Sequence, residues 1–373
     1  MIRIGITGQN GFIGSHLYNT LKLSPDLYEL VDFEKEYFSQ TQSMSDFVDK
    51  CDVIFHLAAM NRHDDPQVIY ETNVDLVKKL VKFLNKKTEK TQVIFSSSAQ
   101  ENKDNLYGKS KAAGAEIFEK WAANSSNSFT SLVIPNVYGA FGKPFYNSFI
   151  ATFCHLLTHG GNPEVQVDNN VPLIYVHNLV HQMIDVIDTQ SSSSNKKVIK
   201  EDGLHKVSEI LSILKCFQED YFEKGTMPAL SDDFELNLFN TYRSYIDHEE
   251  HFPVNYVSHS DDRGSFTEII RLEQFGQVSF STTHGGITRG NHYHTRKIER
   301  FSVIKGTALI EMRRIGTEEV LSFEIDGSNP GYVDMPIWYT HNIKNIGKED
   351  LYTIFWINEF YVPEDPDTYF ETV

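Results

Sequence analysis

The stretch IRIGITGQNGFIG at residues 2–14 decides how the N-terminal part of the chain folds. Residues 2–7 form a strand-like apolar run, a glycine-rich turn follows, and apolar residues then recur at helical spacing. A strand, a tight turn and a helix N-terminus let backbone N–H groups and the helix dipole hold a pyrophosphate. The spacing GxxGxxG therefore predicts a dinucleotide site made of Gly8, Gly11, Phe12, Ile13 and Gly14.

Two further strands are predicted to end beside this turn. The strand at 28–31 ends in Asp32, whose carboxylate suits a ribose diol and repels a 2′-phosphate, although Lys35 could offset that preference for NAD. The alternative is that Asp32 is an ordinary solvated residue. The buried run CDVIFHLAA at 51–59 ends in small residues, which would let a cofactor approach the backbone of Leu57, Ala58 and Ala59.

The next strand is followed by residues suited to reducing a carbonyl group. Three serines end the run VIFSSS at 93–98, and Tyr107 and Lys111 are four apart, so that they share one face of a helix. An ammonium there would lower the phenol pKa and hold the nicotinamide ribose, while a serine positions the carbonyl. Tyr107 would then protonate the carbonyl oxygen as hydride arrives at its carbon. Asn73 is a candidate organiser of these groups.

In this order the motifs resemble the extended short-chain dehydrogenase/reductases that act on nucleotide sugars. The third serine of FSSSA is catalytic in that family, which implies Ser98 here. The sequence PNVYG at 135–139 resembles the family's substrate loop and implies a substrate contact for Asn136. Val133 replaces an arginine often found three residues earlier, and Val176-His177-Asn178 replaces the usual V-x-D step, so both departures concern substrate identity.

Size and charge limit the other possibilities. The chain has 373 residues, enough for two or three domains, and we place an NAD(P)-binding domain at 1–247 and a second domain at 248–373. The net charge of −17 argues against nucleic-acid and anionic-membrane partners, and the absence of a long apolar run predicts a cytoplasmic protein. The run QSSSSNKK at 190–197 predicts a surface loop, and the acidic, aromatic segment 232–252 predicts a linker with surface histidines.

From residue 253 onward, short β-rich runs alternate with turn residues, which predicts a small antiparallel barrel or double-sheet roll. On a strand, His292 and His294 would lie on one face, which would form half of a metal site, and Glu299 and His341 follow further along the chain. Three or four protein ligands that leave a position open would suit a Lewis acid.

The spacing of these residues resembles the cupin signatures. The first is matched by Gly286, His292, His294, Glu299 and Gly306, and the second by Gly331, Pro336, His341 and Asn345, with Trp338 where glycine is usual. The resemblance implies that the two histidines, Glu299 and His341 bind zinc or another divalent metal. The alternative is a metal-free cupin like the keto-sugar epimerases, which DDRGSF at 261–266 also resembles. His292 would then be the base and Arg289 would face the diphosphate.

Across its whole length the chain resembles the CapF-type bifunctional enzymes of capsular and O-antigen polysaccharide synthesis, including DDRGSFTE, NSFIATFC and the terminal PDTYF. The resemblance implies a Rossmann-type α/β reductase domain followed by an all-β cupin domain, in a homodimer. It also implies a UDP-4-keto-6-deoxy-N-acetylhexosamine as substrate, epimerised at C3 by the cupin. NADPH or NADH would then reduce C4 to UDP-2-acetamido-2,6-dideoxy-L-talose, the precursor of N-acetyl-L-fucosamine, and the resemblance favours NADPH.

Two other kinds of protein are compatible with these motifs. One is a single-function reductase whose cupin serves only dimerisation, which the complete ligand set argues against. The other is a non-enzymatic nucleotide sensor, which the complete set of Ser98, Tyr107 and Lys111 argues against.

Overall fold

The computed structural model describes residues 1–187, 194–261, 264–267, 269–270, 276–359 and 361–373, with the backbone alone at 258–261 and 264–267. Asp262, Arg263 and Glu268 of the DDRGSFTE motif lie outside the described residues. Within the described part of the chain, no helix has both the length and the apolar character needed to cross a membrane.

The chain forms two compact units. The N-terminal unit contains Met1–Thr152 and Val167–Val207, and the C-terminal unit contains Phe153–Gln166 and Ser208–Val373. Residues 208–247 thus lie in the C-terminal unit, whereas the sequence assigned them to the first domain. A compact unit describes how the chain packs and not which part folds alone, so the boundary at 247 and 248 stays a prediction.

The N-terminal unit alternates strands with helices. Its strands are β1 (Ile2–Thr7), β2 (Tyr28–Val31), β3 (Val53–His56), β4 (Gln92–Ser98), β5 (Ser128–Ile134), β6 (Asn136–Tyr138), β7 (Asn170–Tyr175), β8 (Ser194–Val198) and β9 (Gly203–Lys206). Its helices are α1 (Phe12–Lys22), α2 (Thr41–Lys50), α3 (Pro66–Leu84), α4 (Leu106–Ala123), α5 (Phe149–Thr158), which runs past Thr152, and α6 (Val176–Ile184). A parallel sheet has the order β2-β1-β3-β4-β5-β8, and a smaller sheet has the order β6-β7-β9.

The central strands of the parallel sheet are buried on both faces, because their residues enter two different hydrophobic clusters. In β4, Val93 and Phe95 belong to the cluster that contains Phe118 of α4, whereas Ile94 belongs to the cluster that contains Leu17 of α1. Strands covered on both sides read as continuous apolar runs, which explains their visibility in the sequence. Their carboxyl ends meet at one edge, which is where ligands bind in such sheets.

The prediction of a loop at 190–197 is wrong for its second half. Residues 190–193 lie outside the described residues, but Ser194–Lys197 are the first four residues of β8, which pairs in parallel with β5. The side chains of this strand are polar and largely exposed, so the apolar signal of a strand is missing. Backbone hydrogen bonding to the edge of β5 is what forms it.

The C-terminal unit is mainly antiparallel. Its helices are α7 (Val207–Cys216), α8 (Asp233–Arg243) and α9 (His248–His251). Its strands are β10 (Val254–Asn255), β11 (Ser258–Asp261), β12 (Gly264–Thr267), β13 (Gln277–Thr283), β14 (Thr288–Tyr293), β15 (Glu299–Lys305), β16 (Thr307–Arg314), β17 (Val320–Asp326), β18 (Gly331–Met335), β19 (Tyr339–Asn345), β20 (Leu351–Ile357) and β21 (Tyr369–Phe370).

Two five-stranded sheets carry the C-terminal site. Their orders are β10-β18-β15-β20-β13 and β17-β16-β19-β14-β21, and β11 pairs with β12. One hydrophobic cluster joins Phe301 and Val303 of β15 with Ile310 and Met312 of β16, so both sheets contribute to one core. The predicted order of a parallel α/β region followed by an antiparallel β region is confirmed.

The prediction of a linker with surface histidines at 232–252 is wrong. The segment forms α8 and α9, and His248 is only 6% exposed, stacked on Phe252 with its ring edge-on to Tyr339. Burial lowers the pKa of His248 to about 3, so this histidine is neutral. The aromatic residues that suggested an irregular segment instead supply the buried face of α8, including Phe239 and Tyr242.

Candidate active sites

The turn between β1 and α1 has a backbone that requires glycine. Gly8 has a φ of +82°, and a Cβ there would lie 2.9 Å from the backbone nitrogen of Ala58. A Cβ on Gly14 would lie 2.1 Å from the carbonyl oxygen of Gly8. No side chain caps α1 at Gly11, so the first N–H groups of the helix, beginning at Phe12, face outward for an anion. Ile13 and Gly14 complete this first turn.

Residues after β2 and β3 lie on the two sides of this turn. β2 and β3 both pair with β1, so Asp32 and the run Leu57–Ala59 lie at the same sheet edge as Gly8. Asp32 is exposed, and its Oδ1 accepts a hydrogen bond from the Tyr18 hydroxyl at 3.3 Å. The backbone nitrogen of Leu57 donates to the carbonyl oxygen of Thr7 at 3.1 Å, which holds the start of this run against β1.

The next strand end carries the serine and tyrosine. Ser98 ends β4, and Tyr107 is the second residue of α4, whose N-cap Asn105 accepts a hydrogen bond from the Gly108 N–H at 2.7 Å. Partial burial raises the pKa of Tyr107, and the nearby Ser98 hydroxyl, which favours the phenolate, opposes this rise without cancelling it. The phenol is therefore protonated at neutral pH, as a proton donor must be.

Lys111 lies one turn further along α4 and is almost fully buried, with 3% exposed. Its Nζ donates to the carbonyl oxygen of Ser96 at 2.8 Å, and burial lowers its pKa to about 8. The sequence predicted that Lys111 would lower the pKa of Tyr107. In the structure the pKa of Tyr107 is raised, because burial outweighs every group that favours the phenolate.

Asn73 connects the helix of Tyr107 to the loop after β3. Its Nδ2 donates to Ser110 Oγ and to the carbonyl oxygen of Met60, both at 3.0 Å, and its Oδ1 accepts the Met60 N–H at 2.7 Å. Ser110 Oγ in turn donates to the carbonyl oxygen of Tyr107 at 2.7 Å. Asn73 therefore fixes the backbone beneath Tyr107 and does not contact its hydroxyl.

Sequence reasoning missed Tyr146. Its hydroxyl accepts the backbone N–H of Asn61 at 3.3 Å, and its charge when ionised contributes to the raised pKa of Tyr107. No motif links residues so far apart in the chain. Asn136, the predicted substrate contact, is exposed on β6, where its Nδ2 donates to the carbonyl oxygen of Pro172 at 3.2 Å.

In the C-terminal unit, three histidines and one glutamate meet. One ligand atom each from His292, His294, Glu299 and His341 lies within 4.8 Å of the others. His292 and His341 are register partners on β14 and β19, and Glu299 begins β15 in the facing sheet. Oε2 of Glu299 lies 3.0, 3.1 and 3.9 Å from Nε2 of His294, His341 and His292, in that order.

A β-bulge sets this convergence. The pairing of β14 with β19 shifts between Gly290 and His292, and Gly290 has a φ of +101°. A Cβ on Gly290 would lie 2.8 Å from the carbonyl oxygen of His341, so glycine lets the strands approach there. Trp338, which stands where glycine is usual in cupins, has a φ of +62° and donates its N–H to the carbonyl oxygen of His294 at 2.8 Å. The position thus keeps the left-handed backbone that favours glycine.

The charged Glu299 and the neutral His341 suit a cation. Burial alone would raise the pKa of Glu299, but the three imidazoles hold it well below its ordinary value. Burial lowers the pKa of His341, so its ring is neutral. Burial also acts to lower the pKa of His294, but Glu299 more than offsets this and the pKa is raised. The buried Nε2 of His294 lies beside Glu299 without the alignment of a hydrogen bond, so it could serve a metal ion.

Two of the four cluster residues line a cavity of about 180 Å³. His292 and Glu299 line this cavity together with Arg289, Phe301 and Phe355. The side chain of His292 is 24% exposed, against 5% for His294 and none for His341. Of the three imidazoles, His292 is therefore the one that a ligand in the cavity reaches first.

Fold and sites define a class: a dinucleotide-binding α/β unit with a serine, tyrosine and lysine set, combined with a β unit that carries a histidine and glutamate cluster. Residues 4–200 match the model of the NAD dependent epimerase/dehydratase family, and residues 259–369 match the polysaccharide biosynthesis C-terminal domain. The first match covers more than half of the chain.

Full-length relatives carry both parts. A UDP-2-acetamido-2,6-beta-L-arabino-hexul-4-ose reductase of Pseudomonas aeruginosa is 31% identical over 99% of this chain and 98% of its own. The crystal structure of the capsular polysaccharide assembling protein CapF from Staphylococcus aureus is 33% identical, covers 100% of both chains and has a TM-score of 0.61. The spore coat polysaccharide biosynthesis protein SpsL of Bacillus subtilis is 29% identical over 30% of this chain and 80% of its own.

The chain therefore belongs to the NAD dependent epimerase/dehydratase family, the nucleotide-sugar epimerases and reductases, and within it to the CapF type. A nicotinamide cofactor follows from this family.

Proposed function

We propose that the chain acts twice on a UDP-4-keto-6-deoxy-N-acetylhexosamine. The C-terminal β unit, which we interpret as a cupin, would epimerise C3. The N-terminal unit would then reduce C4 with NAD(P)H to give UDP-2-acetamido-2,6-dideoxy-L-talose, the precursor of N-acetyl-L-fucosamine. The observation that carries this proposal is the presence of two complete sites in one chain, one suited to reducing a ketone and one suited to removing a proton. The name of the Pseudomonas aeruginosa relative, a hexul-4-ose reductase, supports the C4 step.

The C3 step needs a base and a positive charge. A ketone at C4 acidifies the proton on C3, and His292 is the imidazole that faces the cavity. Arg289 lies on the cavity wall and is exposed, which suits a contact with the diphosphate. Returning a proton to the opposite face of C3 inverts the centre, and the low polarity of Phe301 and Phe355 limits water in the cavity.

We further propose that zinc or another divalent ion is held by His292, His294, Glu299 and His341. Three imidazoles and a carboxylate are a donor set that zinc favours, and the low pKa of Glu299 keeps that ligand charged. When bound, the ion would supply a Lewis acid that stabilises the enolate. The second candidate is a metal-free site with His292 as the base, which the greater exposure of His292 supports.

At C4, Tyr107 would protonate the ketone oxygen while the reduced nicotinamide supplies hydride to the carbon. The raised pKa of Tyr107 keeps that proton in place until it is needed, and Ser98 holds the phenol and the ketone oxygen in line. The ammonium of Lys111 stabilises the phenolate that remains. Both NADH and NADPH are proposed as cofactors, because Asp32 favours a free ribose diol whereas the family resemblance favours NADPH.

We also propose that the chain forms homodimers through its cupin. Among the described residues β13 is one of the two edge strands of its sheet. Its outward side chains Val278 and Phe280 are 54% and 63% exposed, an apolar edge that solvated monomers usually avoid. A reductase whose cupin only dimerises would need none of the four clustered side chains. A nucleotide sensor would need no Tyr107.

The test is to incubate the native protein with the UDP-4-keto sugar in deuterated water, with and without reduced cofactor, and to follow the sugar by NMR. Without cofactor, deuterium should enter at C3. With cofactor, the C4 ketone should become an alcohol and C3 should be inverted. Reduction without C3 exchange would support a single-function reductase whose cupin serves only dimerisation. The absence of both reactions would support a non-enzymatic nucleotide sensor.

A further inference from the structure

The last residues of the chain pack directly against the histidine and glutamate cluster. Asp367 is 2% exposed, and its backbone carbonyl oxygen accepts a hydrogen bond from Nδ1 of His294. A carbonyl oxygen can only accept, so the proton of a neutral His294 ring must lie on Nδ1. Its Nε2 faces Oε2 of Glu299 at 3.0 Å. The tail thereby decides which nitrogen of His294 is presented to the cluster.

The carboxylate of Asp367 holds the turn that follows His294. Its Oδ1 accepts from the backbone N–H and the hydroxyl of Thr295 at 3.1 and 2.7 Å. Its Oδ2 accepts from the backbone N–H groups of Arg296 and Lys297 at 3.0 and 2.9 Å. Three successive backbone N–H groups thus surround one buried carboxylate, an arrangement that binds an anion firmly. Asp367 itself has a φ of +39°, a conformation that aspartate adopts more readily than most residues.

The rest of the tail is attached to the strands of the other two histidines. Phe370 of β21 is the register partner of His292, and the Glu371 N–H donates to the carbonyl oxygen of Asn291 at 3.0 Å. The Thr340 hydroxyl, next to His341, donates to the carbonyl oxygen of Glu371. The tail therefore has a fixed position relative to the whole cluster, and its hydrogen bond to a ligand side chain is the one that the Asp367 carbonyl oxygen accepts from His294.

We propose that Asp367 is a positioning residue of this site: it sets the tautomer and orientation of His294 through a carbonyl that its own carboxylate locks in place. The inference rests on the proposed role of the cluster, but not on the metal alone, since the tautomer exists with or without an ion. If the tail only stabilised the fold, it would not need the hydrogen bond to His294.

The test compares Asp367→Asn with Asp365→Asn, the same chemical change two residues earlier. Asp365 is exposed and pairs with Arg296 at 2.8 Å, so its loss should not affect His294. In Asp367→Asn an amide N–H group faces the N–H groups of Arg296 or Lys297. The first measurement is nitrogen NMR of the histidine rings in metal-free protein. Native protein and Asp365→Asn should show His294 protonated on Nδ1, and Asp367→Asn should show both tautomers.

The second measurement is zinc affinity by competition with a chelator. Asp367→Asn should bind zinc roughly 10- to 100-fold more weakly than native protein, and Asp365→Asn should match native protein. If Asp367→Asn does not fold, Thr295→Val removes one hydrogen bond to the carboxylate and should show the same two changes to a smaller degree. An unchanged tautomer together with unchanged affinity would overturn the proposal, as would equal losses in the two aspartate variants. If the native protein binds no zinc, the proposed metal site is wrong. The NMR comparison of the His294 tautomer in the two aspartate variants would still test the role of Asp367.

Discussion

The two sites bury their polar groups in different ways. In the N-terminal unit, Tyr107 and Lys111 are neighbours on one helix and face the end of the adjacent strand, where Lys111 donates to Ser96 and Ser98 acts on the pKa of Tyr107. In the C-terminal unit, His292 and His341 meet across paired strands, and Glu299 reaches them from the other sheet. The first site depends on residues that are close in the sequence and share one helix. The second depends on strand pairing between residues that are distant in the sequence. Substitutions should therefore have separable effects on the two.

The largest effect is expected from Tyr107→Phe. Loss of the proton donor should slow reduction of the keto sugar by about 10²- to 10⁴-fold. Exchange of the C3 proton in deuterated water should be unchanged, because the phenol takes no part in it. Cofactor oxidation followed by absorbance measures the first rate, and NMR measures the second. Loss of both reactions together would refute the division between the sites.

The reciprocal change is His341→Ala. It removes a fully buried ligand from the cluster and should lower zinc content and C3 exchange by at least about tenfold. Reduction of a sugar that already has the product configuration at C3 should continue. The matched control is His284→Ala, since His284 is exposed and paired with Asp350. Elemental analysis that finds no metal in native protein would contradict the ligand assignment.

Lys111→Met should abolish reduction but raise the stability of the folded protein. The pKa of Lys111 falls from its ordinary 10.5 to about 8 on burial, so keeping the ammonium charged in the folded protein costs stability below pH 8. As the pH rises from about 8 to 10.5, the folded state loses its proton first and the cost disappears. The variant should therefore be more stable than native protein by on the order of 3 kcal/mol at neutral pH.

Chemical denaturation at about pH 7 and about pH 10 measures the free energy of unfolding of native protein and of Lys111→Met. The difference between the two proteins should shrink at the higher pH. The variant should have lost reduction while keeping C3 exchange. A difference that does not change with pH would mean that packing, and not the buried charge, sets the stability.

The smallest effect is expected from Asp32→Ala. Removing a single hydrogen-bonded carboxylate should shift the ratio of kcat/KM for NADH and NADPH toward NADPH by roughly tenfold. Asp26→Ala is the control, since Asp26 is also exposed but precedes β2, at the opposite end of that strand. An unchanged ratio would support the reading of Asp32 as an ordinary solvated residue.

The sequence predicted those features that depend on neighbours along the chain. The glycines of the first turn follow from a backbone that must have positive φ and close approach, and Tyr107 and Lys111 follow from the helix repeat. The convergence of the four C-terminal ligands was predictable only through a family resemblance, because nothing local states that His341 will face His292.

What the sequence could not give depends on packing between distant segments. Strand β8 is polar and forms only because the edge of β5 offers hydrogen bonds. His248 is buried against Phe252 and Tyr339, and Tyr339 is distant in the sequence. The raised pKa of Tyr107 and the contact of Asp367 with His294 likewise come from residues brought together by the fold.

The central claim is that one sugar uses two independent sites in turn, and it is tested most directly by mixing two inactive variants. Tyr107→Phe alone and His341→Ala alone should each fail to convert the UDP-4-keto sugar to the C3-inverted alcohol. Mixed in one tube with reduced cofactor, they should restore conversion, because the epimerised ketone leaves one site and reaches the other. Product that appears in the mixture and in neither separate reaction is the predicted result. A mixture as inactive as its components would contradict the account.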